Sequence, residues 1–278
     1  MKRTLLLLVS VLLFGTACGG AKESTSSTAT PETSATAAQQ AVLQAAAKAR
    51  ALKSARISLT ATMRGGAVNG TFTGEGAFAG KKGRMSMDLS GLAGGQVQGR
   101  MDMVFANLVI YMKFPAELAR ELPPGKTWIK FDLAKLGAAQ GIDLAALFSE
   151  FSSSDPSRSL ELLQAANKDF RAVGTETVRG VRTTHYRGTV DFERLAAQAP
   201  ANLRETYRRV IEMSGQSKVP VDVWIDGQGH TRRVRYEQTM HGATTELTEE
   251  FYDFDSPVKV VPPPADEVID ITKLIGNA

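Results

Sequence analysis

From residue 57 onward the chain falls into a period of two. Ile57, Leu59, Ala61 and Met63 alternate with Ser58, Thr60 and Thr62. Val68, Gly70, Phe72, Gly74, Gly76 and Phe78 alternate with Asn69, Thr71, Thr73 and Glu75. Met85, Met87 and Leu89 alternate with Ser86 and Asp88, and Val97, Gly99, Met101, Met103 and Phe105 with Gln98, Arg100 and Asp102. Neighbouring strand residues point to opposite faces, so four such runs between glycine-rich turns predict an antiparallel meander with one apolar face. A fifth run, Leu108 to Lys113, is apolar on both faces, and a sixth, Thr127 to Phe131, follows the turn Pro123-Pro124-Gly125.

The middle of the chain changes to a helical period. Leu136, Leu144, Leu147, Phe148 and Phe151 punctuate residues 133–151, and Asp155-Pro156 is a start signal for a helix through Leu160, Leu162, Leu163 and Ala166. Strand patterns return at Phe170 to Thr177 and Val181 to Val190. A helix follows over about Pro200 to Met213, with Leu203, Tyr207, Val210 and Ile211 on one side. Val219, Val221, Val223 and Ile225 alternate again before the turn Asp226-Gly227-Gln228-Gly229 and a return strand over Thr231 to Thr239. Leu247 to Phe254 completes the set, and Pro262-Pro263-Pro264 opens an extension with no regular pattern. About ten to eleven strands in tight-turn succession, with a few amphipathic helices, predict an α+β fold. Its core is one strongly curved antiparallel sheet, a half-barrel, with the helices of residues 134–166 and 200–213 on its concave side. A closed up-and-down barrel is the competing arrangement.

The N-terminus has another character. Lys2 and Arg3 precede an apolar run from Leu5 to Phe14, interrupted at Ser10, and then the small residues Gly15, Thr16 and Ala17 lead to Cys18. That run is too short to span a bilayer and suits a cleaved signal peptide over residues 1–17. Small residues before a cysteine resemble a lipobox, although Gly15 stands where a leucine is usual. Cys18 is the single cysteine of the chain, so an internal disulfide cannot account for it. A lipid on Cys18 is the expectation, with ordinary secretion as the alternative. Residues 18–40, rich in Ser, Thr and Ala, are expected to be a disordered tether, and a single domain is expected over residues 41–278, opening with a helix near Val42. This places the protein on the extracytoplasmic face of the cell membrane. The 33 Lys and Arg against 29 Asp and Glu are spread along the chain, and Lys2 and Arg3 leave with the leader. So balanced and dispersed a charge argues against nucleic-acid binding.

The leader, the tether and a helix entering a Gly- and Met-rich meander resemble the LppX/LprG-type lipoproteins of actinobacteria. Lys126-Thr127-Trp128-Ile129-Lys130-Phe131-Asp132, Val178-Arg179-Gly180-Val181, Val219-Pro220-Val221-Asp222-Val223-Trp224-Ile225-Asp226 and Pro262-Pro263-Pro264-Ala265-Asp266 strengthen that likeness. The resemblance implies a half-barrel related to the LolA and LolB carriers. It also implies a hydrophobic cavity for lipid or glycolipid acyl chains, a lipid exporter as candidate partner, and no catalytic signature.

The residues themselves point the same way. Methionine is unbranched and polarizable and adapts to varied ligands, and inward-facing glycines, here Gly70, Gly74, Gly76 and Gly99, remove volume. The candidate cavity lining is Ile57, Leu59, Met63, Phe72, Phe78, Met85, Met87, Leu89, Val97, Met101, Met103, Leu136, Leu144, Leu147 and Phe148. The competing reading is an ordinary filled core, with glycines that only bend the sheet. No catalytic residue, metal ligand or cofactor is assigned. His185, His230 and His241 lack metal-ligand spacing, no nucleophile elbow is present, and Gly74-Glu75-Gly76 sits within a strand pattern. The acidic run from Glu246 to Asp255 reads as a solvated edge, and Arg232, Arg233 and Arg235 as its ion-pair partners or as contacts for anionic headgroups. The expected function is non-enzymatic lipid carriage. An envelope-stress or regulatory sensor of the same fold and a passive cell-wall module are the alternatives.

Overall fold

The computed structural model describes residues 31–65, 69–92, 98–117, 119–138, 169–199, 201–240 and 243–272. The leader, Cys18, Val68, Val97, the run containing Leu144, Leu147 and Phe148, Asp155-Pro156 and His241 lie outside them.

Helix α1 runs over Pro31–Ala49. Five antiparallel strands and a sixth follow: β1 (Ser54–Arg64), β2 (Gly70–Ala79), β3 (Lys82–Asp88), β4 (Arg100–Ala106), β5 (Val109–Lys113) and β6 (Trp128–Asp132). Helix α2 covers Leu133–Ala138. Strands β7 (Arg171–Val178) and β8 (Val181–Asp191) form a hairpin, followed by helices α3 (Phe192–Gln198) and α4 (Ala201–Ser214). Strands β9 (Lys218–Asp226), β10 (Thr231–Met240) and β11 (Ala243–Tyr252) complete the second meander, and a short β12 (Val268–Asp270) ends the described chain.

All twelve strands belong to one sheet, in the order β12-β6-β5-β4-β3-β2-β1-β11-β10-β9-β8-β7. The sheet is curved and unclosed. The expected half-barrel is therefore present and the closed barrel is not, with one or two more strands than the pattern predicted. Two meanders meet at the central β1–β11 pair, where Leu59 faces Glu249 and Ile57 faces Phe251. One meander steps outward from β1 and the other inward to β11, so the chain crosses from the β6 edge to the β7 edge between residues 132 and 171.

Burial follows the predicted alternation. β1 buries Ile57, Leu59 and Ala61 while Arg56, Thr60 and Arg64 are exposed. β3 and β4 bury Met85, Met87, Met101 and Met103, and β5 adds Ile110 and Met112. Val42 and Ala45 of α1, Leu195 and Ala196 of α3, and Leu203 and Tyr207 of α4 join the same core, so these helices lie on the inner face. α1 packs on β7, β9 and β10, and α4 packs on β10 and against α3. Each large side chain buried this way contributes about 1.5–3 kcal/mol.

Three features depart from the sequence reading. α1 begins at Pro31, so residues 31–40, read as tether, are helical. Proline is favoured at the first helical position and alanine has the highest helix propensity, which outweighs the polar composition. Ala38, buried to 4% exposure, fixes this early turn to the core. The C-terminal extension is not wholly irregular: Val268, Ile269 and Asp270 pair in parallel with Trp128, Ile129 and Lys130. Lys130 Nζ lies 2.8 Å from Asp270 Oδ2 and helps hold that edge. The acidic run is not an edge, because β11 lies at the centre of the sheet.

Candidate functional site

The inner face carries the candidate lining. Cross-strand pairing aligns Tyr186, Val223, Val234, Glu249, Leu59, Gly74, Met87 and Met101 in one row over eight strands. A parallel row runs Phe251, Ile57, Gly76, Met85, Met103, Met112 and Ile129. Ile57, Leu59, Phe72, Met85, Met87, Leu89, Met101 and Met103 are buried in a common cluster, and Met63, Phe78 and Leu136 pack against it half-buried. The structure thus brings together every lining candidate that it describes.

The inward glycines act differently from the expectation that they leave space. A Cβ built on Gly74 would meet Met87 Cγ at 3.1 Å, and one on Gly76 would meet the Arg84 carbonyl oxygen at 2.6 Å. A Cβ on Gly83 would fall 1.9 Å from Phe105 Cζ, because the ring lies over its cross-strand partner. The glycines let neighbouring side chains and backbone approach, and the volume they release is filled.

Glu249 is the residue that sequence reasoning missed. It is only 3% exposed and occupies the inner-face position between Leu247 and Phe251. Burial pushes its carboxyl up to about 8. Burial, followed by the charge of Glu249, holds the nearby Tyr236 phenol far above its ordinary value. The signal was present in the alternation: Leu247, Glu249 and Phe251 share a face, so the glutamate belongs with the apolar set.

The outer face is an ionic lattice. Asp222 is met by His185 Nε2 at 2.6 Å, Arg187 Nε at 2.8 Å and Arg235 Nη2 at 3.0 Å. Burial opposes ionisation of Asp222, but its hydrogen bonds from Arg187, His185 and Arg235 prevail and hold the carboxyl below its usual range. His185 stacks on Trp224 with ring centres 4.1 Å apart, and Arg233 and Arg235 lie over the same indole. Arg233 Nη2 pairs with Glu250 at 2.7 Å and Arg232 Nε with Asp226 at 2.6 Å. The three arginines singled out by sequence are thus held in ion pairs, one of them to the acidic strand. A cleft of about 620 Å³ opens beside this lattice, lined in part by Thr175, Thr183, Asp226 and Gln228.

Among the described residues, no group of three or more His, Cys, Asp or Glu could hold a metal ion. None of the described helices is long and apolar enough to cross a membrane.

Comparison with known proteins gives the relatives. The chain is 29% identical over 157 residues to an uncharacterized 31.2 kDa protein of Streptomyces griseus, covering 54% of this chain and 50% of that one. It is 31% identical over 159 residues to a Streptomyces coelicolor protein whose name marks it a lipoprotein candidate, covering 55% and 45%. The chain spans about half the length of these curated relatives. Among solved structures, the Mycobacterium tuberculosis lipoprotein LppX aligns with a TM-score of 0.49 at 14% identity, covering 81% of this chain and 99% of LppX. LprF from Mycobacterium bovis aligns with a TM-score of 0.47, also at 14% identity, covering 82% and 97%. A family model, the LppX_LprAFG lipoprotein, matches residues 37–260, which takes in α1 from residue 37 onward and all but the last of the strands, and the chain belongs to that family.

Proposed function

We propose that this protein is a lipid-anchored envelope carrier. It takes the acyl chains of a lipid or glycolipid against the inner face of its half-barrel and releases them to an acceptor, without catalysing a reaction. The observation that carries this reading is the broad, largely apolar inner face of an unclosed sheet. Its methionine-rich part, Met85, Met87, Met101, Met103 and Met112, lies on three adjacent strands. A surface of flexible thioethers can re-pack around chains of different shape. Hiding a chain from water is worth about 0.8 kcal/mol per CH₂, so a modest apolar site competes with a bilayer for a long chain. An N-terminal lipid on Cys18 would hold the domain at the membrane from which its ligand is drawn.

The test is Met101→Trp and Met103→Trp, read by lipid co-purification and thermal melting together. If these methionines yield to a ligand, the indole takes the ligand's place: bound lipid falls and the melting temperature changes little. In a filled core the same change is overpacking, which costs about 1–3 kcal/mol. A large drop in the melting temperature of lipid-free protein, with lipid content unchanged, would overturn the reading.

A further inference from the structure

The inner face has one member that an apolar ligand alone does not explain. Glu249 stands in the central row between Val234 and Leu59, with Leu247 and Phe251 beside it on its own strand. Among the described residues, no hydrogen bond or ion pair engages its carboxyl, and burial is the sole cause of its perturbed titration. An isolated polar group in apolar surroundings is costly, and replacing it with a hydrocarbon of similar size is commonly neutral or stabilising. A carboxyl kept at such a position is a hydrogen-bonding group set among the apolar side chains of the inner face.

We propose that Glu249 is the polar anchor of the lipid site, hydrogen-bonding a hydroxyl or ester carbonyl at the head of a neutral glycerolipid or glycolipid while the acyl chains extend over the methionine strands. This rests on the carrier reading and names the ligand's polar end. The geometry suits a lipid. Met101 lies in the same row four strands from Glu249, roughly 19 Å along the sheet at the usual strand spacing. That is a span comparable to an extended long acyl chain. The groups around the carboxyl favour its neutral form. β1 presents Leu59 with Ile57 and Ala61, and β10 presents Val234 with Tyr236. α4, packed on β10, contributes buried Leu203, Thr206 and Tyr207. The charged side chains of α4 bond one another or the backbone: Arg208 with Glu205, Arg209 with Glu212, and Arg204 with the Ala199 carbonyl. No cation among these groups offsets a negative charge at Glu249. A neutral carboxyl donates its proton to an ester or hydroxyl oxygen, and once ionised it loses that donor.

The experiment uses the full chain, as wild type, Glu249→Gln and Glu249→Leu. Each is incubated with phosphatidylcholine vesicles carrying radiolabelled dipalmitoylglycerol or radiolabelled hexadecane, and the label in the protein fraction is counted. Wild type is expected to extract both. Glu249→Leu is expected to lose about tenfold in dipalmitoylglycerol uptake, the worth of one hydrogen bond in this setting, while keeping hexadecane uptake. Glu249→Gln still offers a donor and is expected to retain dipalmitoylglycerol uptake. Raising the pH from 7 to above 9 is expected to reduce dipalmitoylglycerol uptake by wild type but not by Glu249→Gln, and this arm needs no variant to fold. Dipalmitoylglycerol uptake by Glu249→Leu equal to wild type, or a wild-type uptake indifferent to pH, overturns the anchor and leaves the carrier reading standing. Failure of wild type to extract either lipid overturns both.

Discussion

Replacing Glu249 with glutamine keeps the shape of the side chain and removes its titration. In the folded chain burial pushes the carboxyl to about 8, against an ordinary value of 4.5. Between those values the folded state holds a proton that the unfolded state has released. Stability therefore falls as pH rises through this window, by about 1.4 kcal/mol per pH unit. The contribution is intact below about pH 4.5 and fully lost above about pH 8, where the cost reaches roughly 3–5 kcal/mol. For a domain of this size each kcal/mol moves the melting temperature by about 2–4 °C, so the accumulated effect is about 10 °C. Thermal melting of lipid-extracted wild type and Glu249→Gln, followed by circular dichroism from pH 5 to pH 8, measures it. The two should melt together near pH 5 and separate steadily, with the variant the more stable at pH 8. Parallel curves over the whole range would refute the reasoning, since they would mean that the carboxyl is solvated and does not lie on the apolar face.

Other consequences follow from particular contacts. Gly76→Ala drives a methyl group to 2.6 Å from the Arg84 carbonyl oxygen and should cost about 1–3 kcal/mol, whereas at Gly74 the nearest atom is the side-chain Cγ of Met87 at 3.1 Å and the melting temperature should fall less. Asp222→Asn leaves Arg187 and Arg235 around an uncharged amide, and urea titration at pH 7 should show a loss of about 1–3 kcal/mol. Because the Asp222 carboxyl is held below its usual range, its contribution is present above the ordinary carboxylate value and vanishes as pH falls, so the two proteins should converge in strong acid. Cys18→Ala should move the protein from the membrane to the soluble fraction, and a variant that loses its leader yet stays membrane-bound would refute anchoring at that residue.

The meanders were legible because one face of each strand meets the core and the other meets water. Ile57-Leu59-Ala61 and Met101-Met103 mark the buried set as plainly in sequence as in the fold. Elements that rest on a local cap or on a distant partner were harder to see. α3 is seven residues long and is started by Asp191, whose carboxylate accepts from the Arg194 amide, so its pattern is too short to register. β12 has three residues behind a proline run, and nothing local shows that β6 offers it a parallel edge. Composition misled at α1, where alanines embedded in Ser and Thr were read as tether. At the candidate site the reverse weighting was the error: charge was allowed to outrank alternation at Glu249, and inward glycine was read as removed volume where Met87 and the Arg84 carbonyl come in close at Gly74 and Gly76.

The central claim is that the inner face holds lipid, and native mass spectrometry of the full chain gently extracted from membranes tests it most directly. A noncovalent mass increment of lipid size is predicted, which disappears under denaturing conditions while any covalent lipid on Cys18 remains. A folded protein that carries no such increment, and that acquires none after incubation with lipid vesicles, would contradict the account.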